Sequence, residues 1–352
     1  MCNKKRDIDL HHLWLARQAG ESSEAPLGRS DSVRLRRTED VYAHACHITA
    51  WQQLYDQLKP GTFQGELNEV WLKGLQFFRE YTSHALHQSC MVWPDAFWFG
   101  IPCATQALGY IGRRQIDTQS IAVRPGGREF ELSTPDDYSI LGLVVDKQLL
   151  QEQAEFQGLP NLASRLDDNT LLHIDPALKQ RLCAFVDEAL RVAAAAPASM
   201  AAPAVGKQLS HELLLGLLLA LQGAEVVRQE CSATLLRKRQ VVSRAREYVL
   251  DNPSESVTVL DLCQRLHVSQ RTLQNCFLDV IGRSPIAYLK AVRLNAVHRE
   301  LGSPYSSFHT VQDAAMAWGF WHMGQFARDY LMHFGTRPSH TLAERDRLCG
   351  AW

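Results

Sequence analysis

The stretch Thr258–Pro338 carries one short pattern twice, first as TVLDLCQRLHVSQRTLQNCFLDVIGRSP (258–285) and again as TVQDAAMAWGFWHMGQFARDYLMHFGTRP (310–338). Thr258 and Asp261 recur as Thr310 and Asp313; Leu273, Phe277, Gly282 and Pro285 recur as Phe326, Tyr330, Gly335 and Pro338. The offset is 52 residues before the turn and 53 after it, so the second copy has gained one residue in or just after its turn. Each T-x-x-D start predicts a helix N-terminus, where the threonine hydroxyl accepts from a free backbone N–H and the acid suits the positive helix end. Within each copy the apolar spacing makes two short amphipathic helices joined by a tight turn, a helix-turn-helix. Two such units in one chain point to DNA.

In a helix-turn-helix the second helix enters the major groove with its N-terminal residues toward the base edges. In copy one that helix starts at the cap Ser269, with Leu273, Phe277 and Val280 as its buried stripe. The face left over presents Gln270, Arg271, Thr272, Gln274 and Asn275. Arg pairs with guanine O6/N7, while Gln and Asn pair with adenine N6/N7. In copy two Phe326, Tyr330 and Phe334 are expected inside, with Trp321, His322, Met323, Gln325 and Arg328 outward. Trp321 has two readings, a groove contact or a wedge in the turn. Between the copies, Ser284 and Pro285 open a helix running to about Leu301, with proline at its favoured first position. Its length, roughly 25 Å at 1.5 Å per residue, suits a strut that spaces two helices for consecutive major grooves. Arg293 and Arg299 on it are expected to meet phosphate or acidic neighbours, and a leading helix carries Arg237, Lys238, Arg239, Arg244 and Arg246 as a solvated face or as phosphate contacts.

Toward the N-terminus the texture changes. Residues 1–38 are polar and aperiodic, and are expected to be a flexible tail. Over 39–150, short alternating runs at Gly65–Leu72, Gly74–Tyr81, Ala85–Val92, Ala96–Ile101, Gln119–Val123, Arg128–Leu132 and Ile140–Val145 are broken by turns such as Pro94-Asp95 and Pro125-Gly126-Gly127. That rhythm predicts an antiparallel sandwich or small barrel. After Asp146 the period becomes helical, with helices expected at Lys147–Gln157, Pro176–Ala196 and Lys207–Glu225 and an Ala/Pro-rich connector before the last, so that 151–234 is read as a helical segment and linker. The wide leucine face of that last helix fits either a homodimer contact or packing on the barrel. The whole is an α+β chain, its DNA-binding part spanning 235–352.

The chain has 352 residues and a net charge of −1. From Leu235 onward there are 15 Lys/Arg against 10 Asp/Glu, a balance of +5; the rest has 22 against 28. A mildly basic part beside an acidic one suits local phosphate contact. Nine scattered cysteines without a C-x-x-C exclude a disulfide framework and a zinc cluster, and predict reduced thiols in the cytoplasm. The most apolar run, Leu213–Leu221, is shorter than the ~20 residues a bilayer span needs, so no membrane role is expected.

The duplicated pattern resembles the AraC/XylS family of transcriptional regulators, in which R-x-L-x-x-x-F before G-x-S-P is followed by a second unit with G-F, F-x-R-x-F/Y and G-x-x-P. Here these read SQRTLQNCF with GRSP, and GFWHMGQFARDY with GTRP, over about 100 residues. Two positions depart from the pattern. His267 stands where the first turn usually has glycine, and Asn275 replaces an arginine. Stretches such as TEDVYAHACHITAWQQLYDQLKPG, CMVWPDAFWFGIP and RPGGREFELSTPDDYSILG are similar to members of that family that govern ethanolamine-utilisation operons. The resemblance implies a DNA-binding activator that works on double-stranded promoter DNA with RNA polymerase and responds to ethanolamine together with adenosylcobalamin, with 39–150 as its cupin-like effector-sensing domain. It implies no catalytic cofactor.

For the effector, Trp93, Asp95 and Trp98 are the candidate residues, because an aromatic wall with a carboxylate suits a small ammonium ion. The other reading of those aromatics is barrel core. The corrinoid motif D-x-H-x-x-G is absent, as are G-x-S-x-G, a P-loop and H-E-x-x-H. His44, Cys46, His47, His84 and His87 are weak metal candidates without further ligands in sequence. Alternative functions are control of another catabolic operon, or an alkyltransferase for DNA repair fused to the same module.

Overall fold

The computed structural model describes residues 32–103, 109–112, 114–166, 171–200, 202–227, 232–255 and 257–349. The architecture is α+β. Of the described residues, one compact unit takes Ser32–Glu39, His44–Leu54 and those from Gln64 to Val227; the other takes Asp40–Ala43, Tyr55–Phe63 and those from Ser232 onward.

The first unit is built on two sheets. The larger runs β1 (Val33–Thr38), β3 (Gly65–Leu72), β4 (Leu75–Thr82), β11 (Tyr138–Asp146), β6 (Ala96–Pro102), β9 (Ser120–Pro125), β12 (Leu171–His173) and β13 (Glu225–Val226). The smaller runs β2 (Gln52–Gln57), β5 (Leu86–Met91), β10 (Phe130–Thr134), β7 (Gly109–Ile111) and β8 (Arg114–Ile116). The helices are α1 (Val41–Ala45), α2 (Lys147–Phe156), α3 (Leu162–Leu166), α4 (Pro176–Ala195), α5 (Pro197–Met200) and α6 (Pro203–Gln222), while Val41–Ala43 of α1 and Tyr55–Gln57 of β2 count with the second unit. Alternation decides the two faces of the larger sheet. Val70, Phe77, Phe97, Phe99, Val123, Leu141 and Leu143 form one core with Leu182, Val186 and Leu190 of α4 and with Leu213, Leu214, Leu217, Leu218 and Leu221 of α6. The alternate residues Phe78 and Trp98 meet Trp51 edge-on, and Trp98 stacks on Phe130 of the smaller sheet with ring centroids 5.0 Å apart. Gly100 and Gly142 face each other across β6 and β11, and a Cβ there would lie 2.3 Å from the Trp98 ring and 2.2 Å from the Phe78 ring. Glycine is what admits those rings.

Three readings change. Val33–Thr38, inside the stretch expected as a tail, pairs antiparallel with β3, because Val33 and Leu35 alternate with arginines along an edge strand. Residues 1–31 lie outside the described residues. The α6 helix begins at Pro203 rather than Lys207, with proline opening it, and its leucine face is spent on the sheet of its own unit rather than left for a second copy. At twenty residues α6 is long and apolar enough to cross a bilayer by length and composition, a test that buried core helices also pass.

The second unit is helical: α7 (Ala233–Asp251), α8 (Val259–Leu266), α9 (Gln270–Ile281), α10 (Pro285–Gly302), α11 (Val311–Ala317), α12 (Met323–Phe334) and α13 (Pro338–Cys349). The pairs α8/α9 and α11/α12 are the two copies, and α10 joins them. Eleven of its residues are buried, among them Tyr288, Val292, Asn295, Val297 and His298, so the connector is the core of this unit and not an exposed rod.

Candidate nucleic-acid interface

Each copy starts as its caps dictate. Thr258 Oγ1 accepts from the Asp261 amide at 3.2 Å, while the Asp261 carboxylate accepts from the Thr258 amide at 2.8 Å. The Thr258 hydroxyl and amide hold that carboxyl below its usual range. In copy two Thr310 Oγ1 accepts from the Asp313 amide at 3.0 Å. The turn of copy one places His267 at φ 53°, ψ 45°, the left-handed region that the sequence position demanded. Ser269 then caps α9, its Oγ accepting from the Thr272 amide at 3.1 Å. In copy two Gly319 takes the corresponding positive φ, 79°, and His322 stands at the N-cap without a side-chain bond. The added residue lies in this longer turn, between Ala317 and Met323.

Leu273, Cys276 and Phe277 anchor α9, with Phe277 5.4 Å from Tyr288 of the connector. Ser269, Gln270, Arg271, Thr272, Gln274 and Asn275 are all exposed. Ser269 and Thr272 spend their hydroxyls on each other and on the cap, whereas Gln270, Arg271, Gln274 and Asn275 face solvent. Phe326, Tyr330, His333 and Phe334 anchor α12. Of its outward set, Trp321 is 54% exposed and His322 is exposed, while Met323 is half-buried. The ring that packs the turn is Phe320, 5.0 Å from Phe326, which leaves Trp321 outside. Gln325 and Arg328 are exposed but joined: Arg328 Nη2 donates to Gln325 Oε1 at 3.0 Å and Gln325 Nε2 donates to Asp329 at 3.1 Å. Asp329 also takes Lys290 Nζ at 3.0 Å.

The arginines outside the recognition helices divide. Arg237 and Arg244 on α7 are exposed. Lys238 pairs with Asp279, and Arg293 donates to the Glu255 carbonyl at 2.5 Å. Arg246 and Arg299 both bind the carboxylate of Asp56, at 2.7 and 2.5 Å, so Arg299 has found an acid and not a phosphate. Asp56 was invisible to a reading of the repeat, being 190 residues from Arg246.

The sensor candidates stand in three different surroundings. Trp98 is 2% exposed among the rings between the sheets. Trp93 is half-buried, its Nε1 3.4 Å from Gln76 Oε1. Asp95 is exposed in the hairpin turn at φ 54°, a conformation that aspartate tolerates better than most residues, and its carbonyl accepts from Lys147. The buried carboxylates are instead Glu69, which accepts from Gln76, Trp71 and the Thr49 amide, and Glu80, 3.0 Å from His44. A separate apolar cleft of about 490 Å³ opens among α4, α5 and α6, lined by Phe185, Ala189, Val192, Met200, Val205 and Leu209. Among the described residues no three His, Cys, Asp or Glu stand where they would hold a metal. Burial pushes the thiols of Cys90, Cys103 and Cys276 up and that of Cys183 to about 11, the opposite of what an alkyl-accepting thiolate needs.

Comparison with known proteins matches residues 262–344 to a helix-turn-helix domain family. The chain is 26% identical over 215 residues to the probable thc operon regulatory protein of Rhodococcus erythropolis, covering 60% of this chain and 63% of that one. It is 30% identical over 102 residues to XylDLEGF operon transcriptional activator 3 of Pseudomonas putida, covering 29% of this chain and 31% of that protein. The chain thus spans less than two thirds of either. A probable AraC family transcriptional regulator from Rhodopseudomonas palustris CGA009 is 35% identical over 30% of this chain and 97% of that one, with a TM-score of 0.28. Residues 262–344 are thus a helix-turn-helix domain of the AraC type.

Proposed function

We propose that this chain binds promoter DNA through α9 and α12 and activates a catabolic operon in the cytoplasm, engaging RNA polymerase and answering to a small molecule held by the β-rich unit. The observation that carries the reading is the exposed set Gln270, Arg271, Gln274 and Asn275, held at the N-terminal end of a helix whose other face is locked into the core. The similar proteins named above are regulators of operons, which supports control of an operon here. Ligand binding would shift the population in which both recognition helices engage adjacent grooves.

The finer proposal is an ethanolamine operon, with ethanolamine and adenosylcobalamin as effectors. It rests on the sequence stretches quoted above. The buried carboxylate Glu69, hydrogen-bonded to Trp71, suits a small ammonium ligand better than an anion. The test is a footprint with the purified chain on a promoter of ethanolamine-utilisation genes, with and without both ligands. Protection of two half-sites one helical turn apart, with transcription raised by the ligands, is the expected result. Protection that ignores both ligands would assign the chain to another catabolic operon; absence of any protected site would sink that promoter assignment as well.

A further inference from the structure

The helical unit is not made of the C-terminal residues alone. The nine residues Tyr55–Phe63 belong to it, although Gln57 precedes its partner Asn295 by 238 positions. Asp56, 1% exposed, gives one carboxylate oxygen to Arg246 of α7 and the other to Arg299 of α10. Gln57 pairs its backbone with the Asn295 side chain of α10, N–H to Oδ1 and carbonyl to Nδ2, both at 2.9 Å. Its own Nε2 donates to the His333 carbonyl at the end of α12 at 2.8 Å, and the Gly61 amide donates to the same carbonyl at 3.1 Å. Arg283, in the turn after α9, donates to the Leu58 carbonyl. A Cβ at Gly335 would lie 2.3 Å from Thr62 Oγ1. One short segment therefore touches the helix before copy one, the turn that closes copy one, the connector and the end of copy two.

We infer that Tyr55–Phe63 is a brace that sets the placement of the two recognition helices, with Asp56 as its positioning residue. The inference rests on the proposal that α9 and α12 read DNA. A guanidinium of α7 and a guanidinium and an amide of α10 are held at fixed distances by adjacent residues of one extended segment. Removing the Asp56 charge takes from Arg246 and Arg299, both largely buried, the carboxylate that they share. The two copies then lose a common reference, while each keeps its own buried stripe.

The test uses the full chain and duplex DNA that the wild type has selected from a random library. Affinity is measured on the selected bipartite DNA, on each half-site alone, and on versions with one or two base pairs added or removed between the half-sites. Asp56→Asn is expected to lose at least tenfold on bipartite DNA and less than twofold on single half-sites, and to blunt the dependence on spacing. Asp56→Glu is expected to restore part of that dependence. Should Asp56→Asn not fold, judged by far-ultraviolet circular dichroism, Asn295→Ala decides by the same signature. Wild-type affinity and spacing dependence in the variant would overturn the brace. So would an equal loss on both kinds of DNA, which means plain destabilisation, or a gain, which means that Asp56 only masks arginines from phosphate. Failure of the wild type to select any bipartite DNA would overturn the DNA reading itself and the brace with it.

Discussion

The two helix-turn-helix copies share caps and spacing but present different surfaces. In copy one Gln270, Arg271, Gln274 and Asn275 project from α9 and are exposed. In copy two Arg328, Gln325, Asp329 and Lys290 form a linear chain of hydrogen bonds and an ion pair, beside exposed Trp321 and His322. A side chain already engaged must give up its partner to reach a base, and an exposed one need not. On the proposed reading of DNA, the duplicated fold is an unequal pair of reading heads, with base choice expected chiefly from the first.

The largest expected effect that tests this inequality is Arg271→Ala. It should weaken specific binding by about 1–3 kcal/mol and relax base choice at one position. Arg328→Ala should cost less, about 1 kcal/mol or below, and spread evenly over sequences, as a backbone contact does. Titration of both variants against the selected DNA and its single-base changes measures the difference. If Arg328→Ala relaxes one base as strongly as Arg271→Ala does, the heads are equal and the comparison fails.

The copies also differ in how they are anchored. The α9 stripe is Leu273, Cys276 and Phe277, whereas α12 ends in a buried polar chain: Asp40 Oδ2 to His298 Nε2 at 2.9 Å, His298 Nδ1 to the Tyr330 hydroxyl at 2.5 Å, and that hydroxyl to Thr341 Oγ1 at 3.0 Å. Burial alone would raise the Asp40 carboxyl, but the charge and hydrogen bond of His298 and the amides of Ala43 and Tyr42 bring it to about 2. A carboxyl held below its unfolded value of about 4 contributes stability that is present above that pH and lost as the pH falls toward 2. Because 30% of the Asp40 side chain meets water, the contribution is about 1–2 kcal/mol rather than the full shift. Asp40→Asn should therefore be less stable than the wild type by that amount at pH 6, with the gap closing below pH 4. Urea midpoints measured across that range check it; a gap that persists unchanged at pH 2.5 would detach Asp40 from the anchoring of copy two.

How much of this was legible depends on range along the chain. Caps, turns and stripes are local, so Thr258, Ser269, Pro285 and the left-handed His267 could be read from neighbours a few residues away. The strand rhythm of β3, β4, β6 and β11 was legible for the same reason. The edge strand β1 was not, because Arg34, Arg36 and Arg37 hide a two-residue period in a polar stretch. Trp98 was ambiguous, since residues 97, 98 and 99 are all aromatic and only the pairing with β11 tells which ring faces the smaller sheet. The Asp56 clamp and the Gln57–Asn295 pair lay beyond reach. Their partners lie 190 and 238 residues apart, and no local pattern marks a polar residue as the one that will be buried.

The smallest expected effect concerns the two turns, where the comparison is cleanest. His267 and Gly319 hold the same left-handed position, at φ 53° and 79°. A residue with a Cβ costs roughly 1 kcal/mol there, and glycine gives back part of that gain through the entropy it loses on folding. His267 is exposed, so its ring offers no burial to set against the strain. His267→Gly should therefore stabilise copy one by about 0.5 kcal/mol and leave DNA affinity unchanged. Gly319→Ala should do the reverse in copy two, costing about 1–2 kcal/mol, because the new Cβ meets both the wrong φ and the Pro253 carbonyl at 3.2 Å. Denaturant unfolding of the pair gives both signs in one experiment. If His267→Gly destabilises the chain, or changes affinity for selected DNA, the imidazole has a role in reading DNA that its turn geometry alone does not account for, and the first reading head extends one turn further toward its N-terminus.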